Sequence, residues 1–98
     1  MKTTNTPASI QSAIGAYMKD RTSPGGFLYA VLINDLCKAI DYADSINLAA
    51  LPAIVQYVKG LPSFCRGNAT TVDDWICATV KLSSDQRDEL ASWLRRNP

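Results

Sequence analysis

No histidine occurs anywhere in the 98 residues of this chain. That removes the side chain most often used as a general base near neutral pH, together with the commonest metal ligand. The three cysteines, Cys37, Cys65 and Cys77, are too far apart for a CxxC half-site. With no imidazole to complete a mixed site, neither a metal nor a cofactor is expected. Without a neighbouring base they read as free thiols, Cys37 as a small core hydrophobe and Cys77 off the apolar stripe of its helix, and nucleophilic catalysis is not expected. An excess of charge is missing too. Ten Lys and Arg against nine Asp and Glu leave a formal charge of +1, so no overall field attracts nucleic acid or an anionic membrane. No apolar run approaches the roughly 20 residues that span a bilayer, and the opening MKTTNTPASIQ lacks the apolar stretch of a secretory signal. A cytoplasmic protein is expected. Sustained alternation of polar and β-branched residues is absent, as are repeats and low-complexity tracts, which leaves no pattern for a sheet or a solenoid.

What the chain does have is helical periodicity. With 47% hydrophobic residues, a chain of this length can enclose one core, so residues 1–98 are read as a single all-α domain, a bundle of about five short helices. The segment 27–43, FLYAVLINDLCKAIDYA, carries apolar residues over more than half of a helical circumference. Leu28, Leu32, Leu36, Ala39 and Ala43 lie on one flank and Ile33, Cys37 and Ile40 on the other. A helix of this kind, about residues 26–43, belongs at the centre of the bundle. Leu32→Asp and Leu36→Asp are both expected to unfold it. A polar strip of Asn34, Asp35, Lys38 and Asp41 remains, with Phe27, Val31 and Tyr42 beside it.

Around that centre, a first helix is expected from a Thr6 cap and Pro7 to Asp20, with Ile10, Ala13, Ile14 and Tyr17 inward. The breakers from Arg21 to Gly26 end it. A turn at Asp44–Asn47 precedes a helix over 47–59 that buries Leu51, Ile54, Val55 and Val58 and ends at Gly60 as a left-handed cap; Pro52 makes its start ambiguous. Phe64 is expected to fold back onto the core. Asn68 caps a fourth helix to about Val80, with Val72, Trp75, Ile76 and Val80 inward. Ser83 and Gln86 form a capping box for the last helix, whose stripe is Leu90, Trp93 and Leu94.

Few of these residues suggest chemistry. Asp73 and Asp74 complement a helix dipole and, as neighbours on a helix, point about 100° apart, unlike a catalytic pair. Gly25-Gly26 lacks the lysine of a phosphate loop. Arg95 and Arg96 suit a helix C-terminus. They also allow a second reading, a helix-turn-helix DNA-binding regulator whose recognition helix carries Arg87, Arg95 and Arg96, although Asp85, Asp88 and Glu89 on that helix would repel phosphates. The central strip is the stronger candidate. Phe27, Val31, Asn34, Asp35, Lys38, Asp41 and Tyr42 together form the expected partner-binding face, in place of a merely solvated one, because an isolated surface gains little by exposing Phe27, Val31 and Tyr42.

The string Ser23-Pro24-Gly25-Gly26-Phe27-Leu28, followed by Ala30-Val31-Leu32, Asn34-Asp35-Leu36, Ala43-Asp44, Asn47, Pro62, Gly67 and Trp75, resembles a family of small helical proteins encoded by bacteriophages and prophages. The resemblance runs over about two thirds of the chain. It implies a non-enzymatic phage accessory protein, monomeric or a small homo-oligomer. Such a protein would bind a host protein in the bacterial cytoplasm and inhibit or modulate it, as an anti-CRISPR protein does to a defence complex.

Overall fold

The computed structural model describes residues 6–78 and 81–97. Among them the secondary structure is entirely helical: α1 (Ala8–Asp20), α2 (Gly26–Leu32), α3 (Leu36–Tyr42), α4 (Ser45–Ala49), α5 (Leu51–Lys59), a 3-10 turn (Ser63–Cys65), α6 (Ala69–Ile76) and α7 (Ser84–Arg96). The all-α reading holds. The helices are shorter and more numerous than their apolar periodicity implied.

The core is built on α1 and α6. Ile10, Ile14, Tyr17 and Met18 form the buried face of α1, and Val72 and Trp75 that of α6. Large rings cannot be buried with unpaired polar atoms at small cost, and here both are paired. The Tyr17 hydroxyl donates to the Cys65 carbonyl at 2.6 Å, and the Trp75 indole N–H donates to the Tyr17 carbonyl at 2.9 Å. Phe64 folds inward as expected, its ring centroid 5.6 Å from that of Trp75. Arg21 ends α1 in the left-handed conformation, φ 60°. Its guanidinium lies 3.8 Å above the Trp75 ring and donates to the Trp75 carbonyl at 3.2 Å, so the cation covers one face of that core ring.

Two expected caps are present. Asn68 accepts the Thr71 N–H at 2.9 Å, and Ser83 and Gln86 form a reciprocal capping box. The first helix differs. Pro7 takes the cap position with extended backbone and its carbonyl accepts two N–H groups, while the Thr6 hydroxyl donates to the Ala53 carbonyl at 3.2 Å and ties the entry segment to α5. The fourth helix ends at Ile76, with Ala78 left-handed at φ 56°; Val80, expected inward, lies outside the described residues.

The main correction concerns the central helix. It is two helices, α2 and α3, separated at residues 33–35. Asn34 adopts φ 69°; its N–H bonds the Val31 carbonyl at 3.1 Å and the Asp35 N–H bonds the Ala30 carbonyl at 2.8 Å. This pair of bonds is a Schellman stop, in which a left-handed residue turns the chain back so that the last carbonyls of a helix are satisfied. Asp35 then starts α3, its carboxylate accepting the Lys38 N–H at 3.1 Å. A further carbonyl at the end of α2, that of Leu32, accepts the Gly67 N–H at 2.8 Å, so the bend is tied to the loop before α6. The following helix is likewise divided. Asp44 caps α4 by accepting the Asn47 N–H at 2.7 Å, and Pro52 sits in the first turn of α5, where its missing N–H costs nothing.

Candidate protein-docking face

The bend decides what α3 can bury. Leu28, Ala30 and Leu32 of α2 are enclosed, whereas Ala39 is the one buried residue of α3 and α4 buries none. Leu36, expected in the core, is 61% exposed and Ile40 is 46% exposed; Cys37, expected as a core hydrophobe, is exposed. Once the axis turns at Asn34, the apolar stripe of α3 no longer continues that of α2, and Ala39 and the Tyr42 ring, over Gly26, seat α3 against it. The arm continues outward through Ile46, 68% exposed, and Leu48, 48% exposed. Val55, expected inward on α5, is exposed as well, while Ile54 and Val58 are buried.

The expected partner-binding residues are spread around this bend. Phe27 and Val31 are half-buried and pack on the core. Asn34, Lys38 and Asp41 are exposed, but Asn34 belongs to the bend and is no longer in helical register with the other two. Asp35 is half-buried and serves as the α3 cap. Tyr42 is largely exposed on the opposite flank of α3 from Leu36 and Ile40, its ring lying over Gly26 at the start of α2. The bend therefore brings together a set that helical periodicity does not assemble. Leu36 and Ala39 of α3 face Leu51, Val55 and Val58 of α5 across a groove of about 300 Å³. Val31 and Leu32 contribute to the same groove, and Asn34, Asp35, Lys59, Arg66 and Gly67 complete its lining. The signal that could have found it is Asn34-Asp35 itself, a left-handed former followed by a capping residue.

Elsewhere, burial and hydrogen bonding shift the titration of a few groups. Burial pushes the Cys65 thiol up to about 12, against the opposing pull of the Arg21 cation, so it stays protonated and inert. Desolvation likewise raises Tyr17. Tyr29 is raised first by its own hydrogen bond, donated to Asp73 Oδ1 at 2.7 Å. No cluster of metal-ligating side chains occurs among the described residues, and no helix there is long and apolar enough to cross a membrane. Arg87, Arg95 and Arg96 are exposed on α7 together with Asp85, Asp88 and Glu89, and the Arg96 guanidinium donates to Ser92 Oγ at 3.3 Å. Comparison with known proteins finds no matching family model, curated protein or solved structure.

Proposed function

We propose that this protein acts by binding another protein, not by catalysis, and that the arm formed by α3 and α4 with the groove behind it is the docking face. The observation that carries this reading is the outward placement of Leu36, Ile40, Ile46 and Leu48 on two short helices that bury almost nothing of their own. Each of these side chains is between 46% and 68% exposed, and large apolar groups left uncovered to that extent mark a candidate contact site. Lys38, Asp41 and Asp44 border it with both signs of charge, as at a polar interface rim.

The resemblance to small phage-encoded proteins makes a bacterial host protein in the cytoplasm the partner class. Inhibition or modulation of a host system, a defence complex included, is the consequence of covering its surface. Affinity capture from a bacterial lysate tests the reading. Wild-type protein is expected to retain a partner that Ile40→Glu/Ile46→Glu loses while keeping a wild-type melting curve. The same captured proteins with both baits would sink it.

A further inference from the structure

We infer that the groove between α3 and α5 receives an amphipathic helix of the partner, one that presents two large apolar side chains a turn apart and a carboxylate at one end. This rests on the protein-binding reading above and adds to it the chemistry of the segment bound. The apolar wall supplied by α5 is Leu51, Val55 and Val58, spaced four and three residues apart, and Leu36 stands opposite. A helix laid along such a stripe meets it with side chains at the same spacing. The groove's 300 Å³ accommodates a pair of large aliphatic side chains while the backbone of the helix that carries them lies outside it.

Charge sets the direction. Lys59 is the last residue of α5, Arg66 bonds back to Leu61 just beyond it, and both line the groove along with Asp35. The Asp35 carboxylate is already engaged as the α3 cap, and the Arg66 Nε–H donates to the Leu61 carbonyl at 2.9 Å. Lys59 is exposed and makes no hydrogen bond or ion pair among the described residues. Two cations against one committed carboxylate favour an acidic residue of the incoming helix, and repel a basic one. A fixed groove floor, with Leu32 and Ala39 each 1% exposed, means that binding requires little rearrangement of this chain.

A random dodecapeptide library, selected in parallel on wild-type protein and on Leu36→Glu protein, tests this directly. Peptides enriched on the wild type are expected to share two large apolar residues three or four positions apart with Asp or Glu near one end. The best of them should bind Leu36→Glu about tenfold or more weakly and Lys59→Glu a few-fold more weakly. Replacing its acidic residue by Lys should recover the loss on Lys59→Glu. Enrichment of basic sequences, equal binding to Leu36→Glu, or no enrichment at all would overturn the groove assignment. If that happens while lysate capture still depends on Ile40 and Ile46, the protein-binding reading stands and this inference alone fails; if both dependences are missing, the reading itself has failed.

Discussion

Trp75 and Leu36 are both large apolar residues on short helices, yet one is fully buried and the other 61% exposed. Around Trp75, each buried polar atom has a partner: the indole N–H, the Tyr17 hydroxyl and the Arg21 guanidinium are all bonded to backbone carbonyls. That half of the molecule is specified twice, by apolar area and by hydrogen bonds whose loss would strand buried groups. Around Leu36, α3 is seated through Ala39 and through the Tyr42 ring over Gly26, and caps at Asp35 and Asp44 start α3 and α4. The arm leaves Leu36, Ile40, Ile46 and Leu48 uncovered. Its apolar side chains are available to another molecule, and this separation of a scaffold half from a presenting half is the main support for a binding role.

The contrast is tested most sharply by a pair of identical substitutions. Leu32→Asp places a carboxylate among fully buried neighbours and is expected to cost more than about 4 kcal/mol, enough to prevent cooperative folding. Leu36→Asp, on the next turn of the sequence, is expected to stay within about 0.5–1 kcal/mol of wild type by chemical denaturation. Equal losses would mean that α3 is packed far more tightly than its exposure indicates. This revises the expectation from periodicity alone, under which both would unfold.

Alkaline pH should act on the scaffold half. The unfolded chain releases the Cys65 proton from about 9, whereas the folded chain holds it to about 12. Between those values the native state binds more protons, so stability must fall as pH rises, by up to about 1.4 kcal/mol per pH unit, and it is fully retained below pH 9. Tyr17, also raised by burial, acts in the same direction above pH 10. Urea titrations at about pH 8 and about pH 10.5 are expected to show this slope, flattened in Cys65→Ala. A slope unchanged by that substitution would remove Cys65 as its cause.

Tyr17→Phe should cost about 1–3 kcal/mol, because it removes the donor to the Cys65 carbonyl without changing the packed ring. A smaller change is expected at the bend. Asn34→Gly relieves a left-handed non-glycine residue and should be neutral or stabilising by a few tenths of a kcal/mol, while Asn34→Val should destabilise by about 1–2 kcal/mol. Thermal melts of the two variants would check the order, and a stabilising valine would imply a continuous helix through residue 34. Thiol labelling of native protein needs no substitution. Cys37 and Cys77 are expected to react within minutes while Cys65 waits for unfolding, in keeping with their exposure.

Much of this fold is legible in the amino-acid sequence. Local signals with a single physical meaning point the right way: Asn68 and the Ser83/Gln86 box as caps, the breakers after Asp20, and Ile14, Tyr17, Val72 and Trp75 as inward residues; Gly60 does follow its helix, but with right-handed backbone at φ −80° in place of the left-handed cap expected of it. The candidate site is less legible. Periodicity draws its residues from one continuous helix, whereas Leu51, Val55, Lys59 and Arg66 come to it from segments that no helical period connects to α3.

Neighbouring residues alone dictate an all-helical chain, where most helices begin, and which faces of α1, α6 and α7 are apolar, because caps, breakers and 3.6-residue periodicity act over a few positions. That Asn34 breaks the apolar run is seen only in the tertiary structure. An asparagine within such a run is compatible with a helix or with a left-handed stop. In the fold the left-handed stop, with its local bonds and the Asp35 cap, is accompanied by a distant contact, Gly67 bonding the Leu32 carbonyl across the chain. That bond joins residues far apart in sequence, and it lies at the bend that turns Leu36 and Ile40 outward and creates the groove.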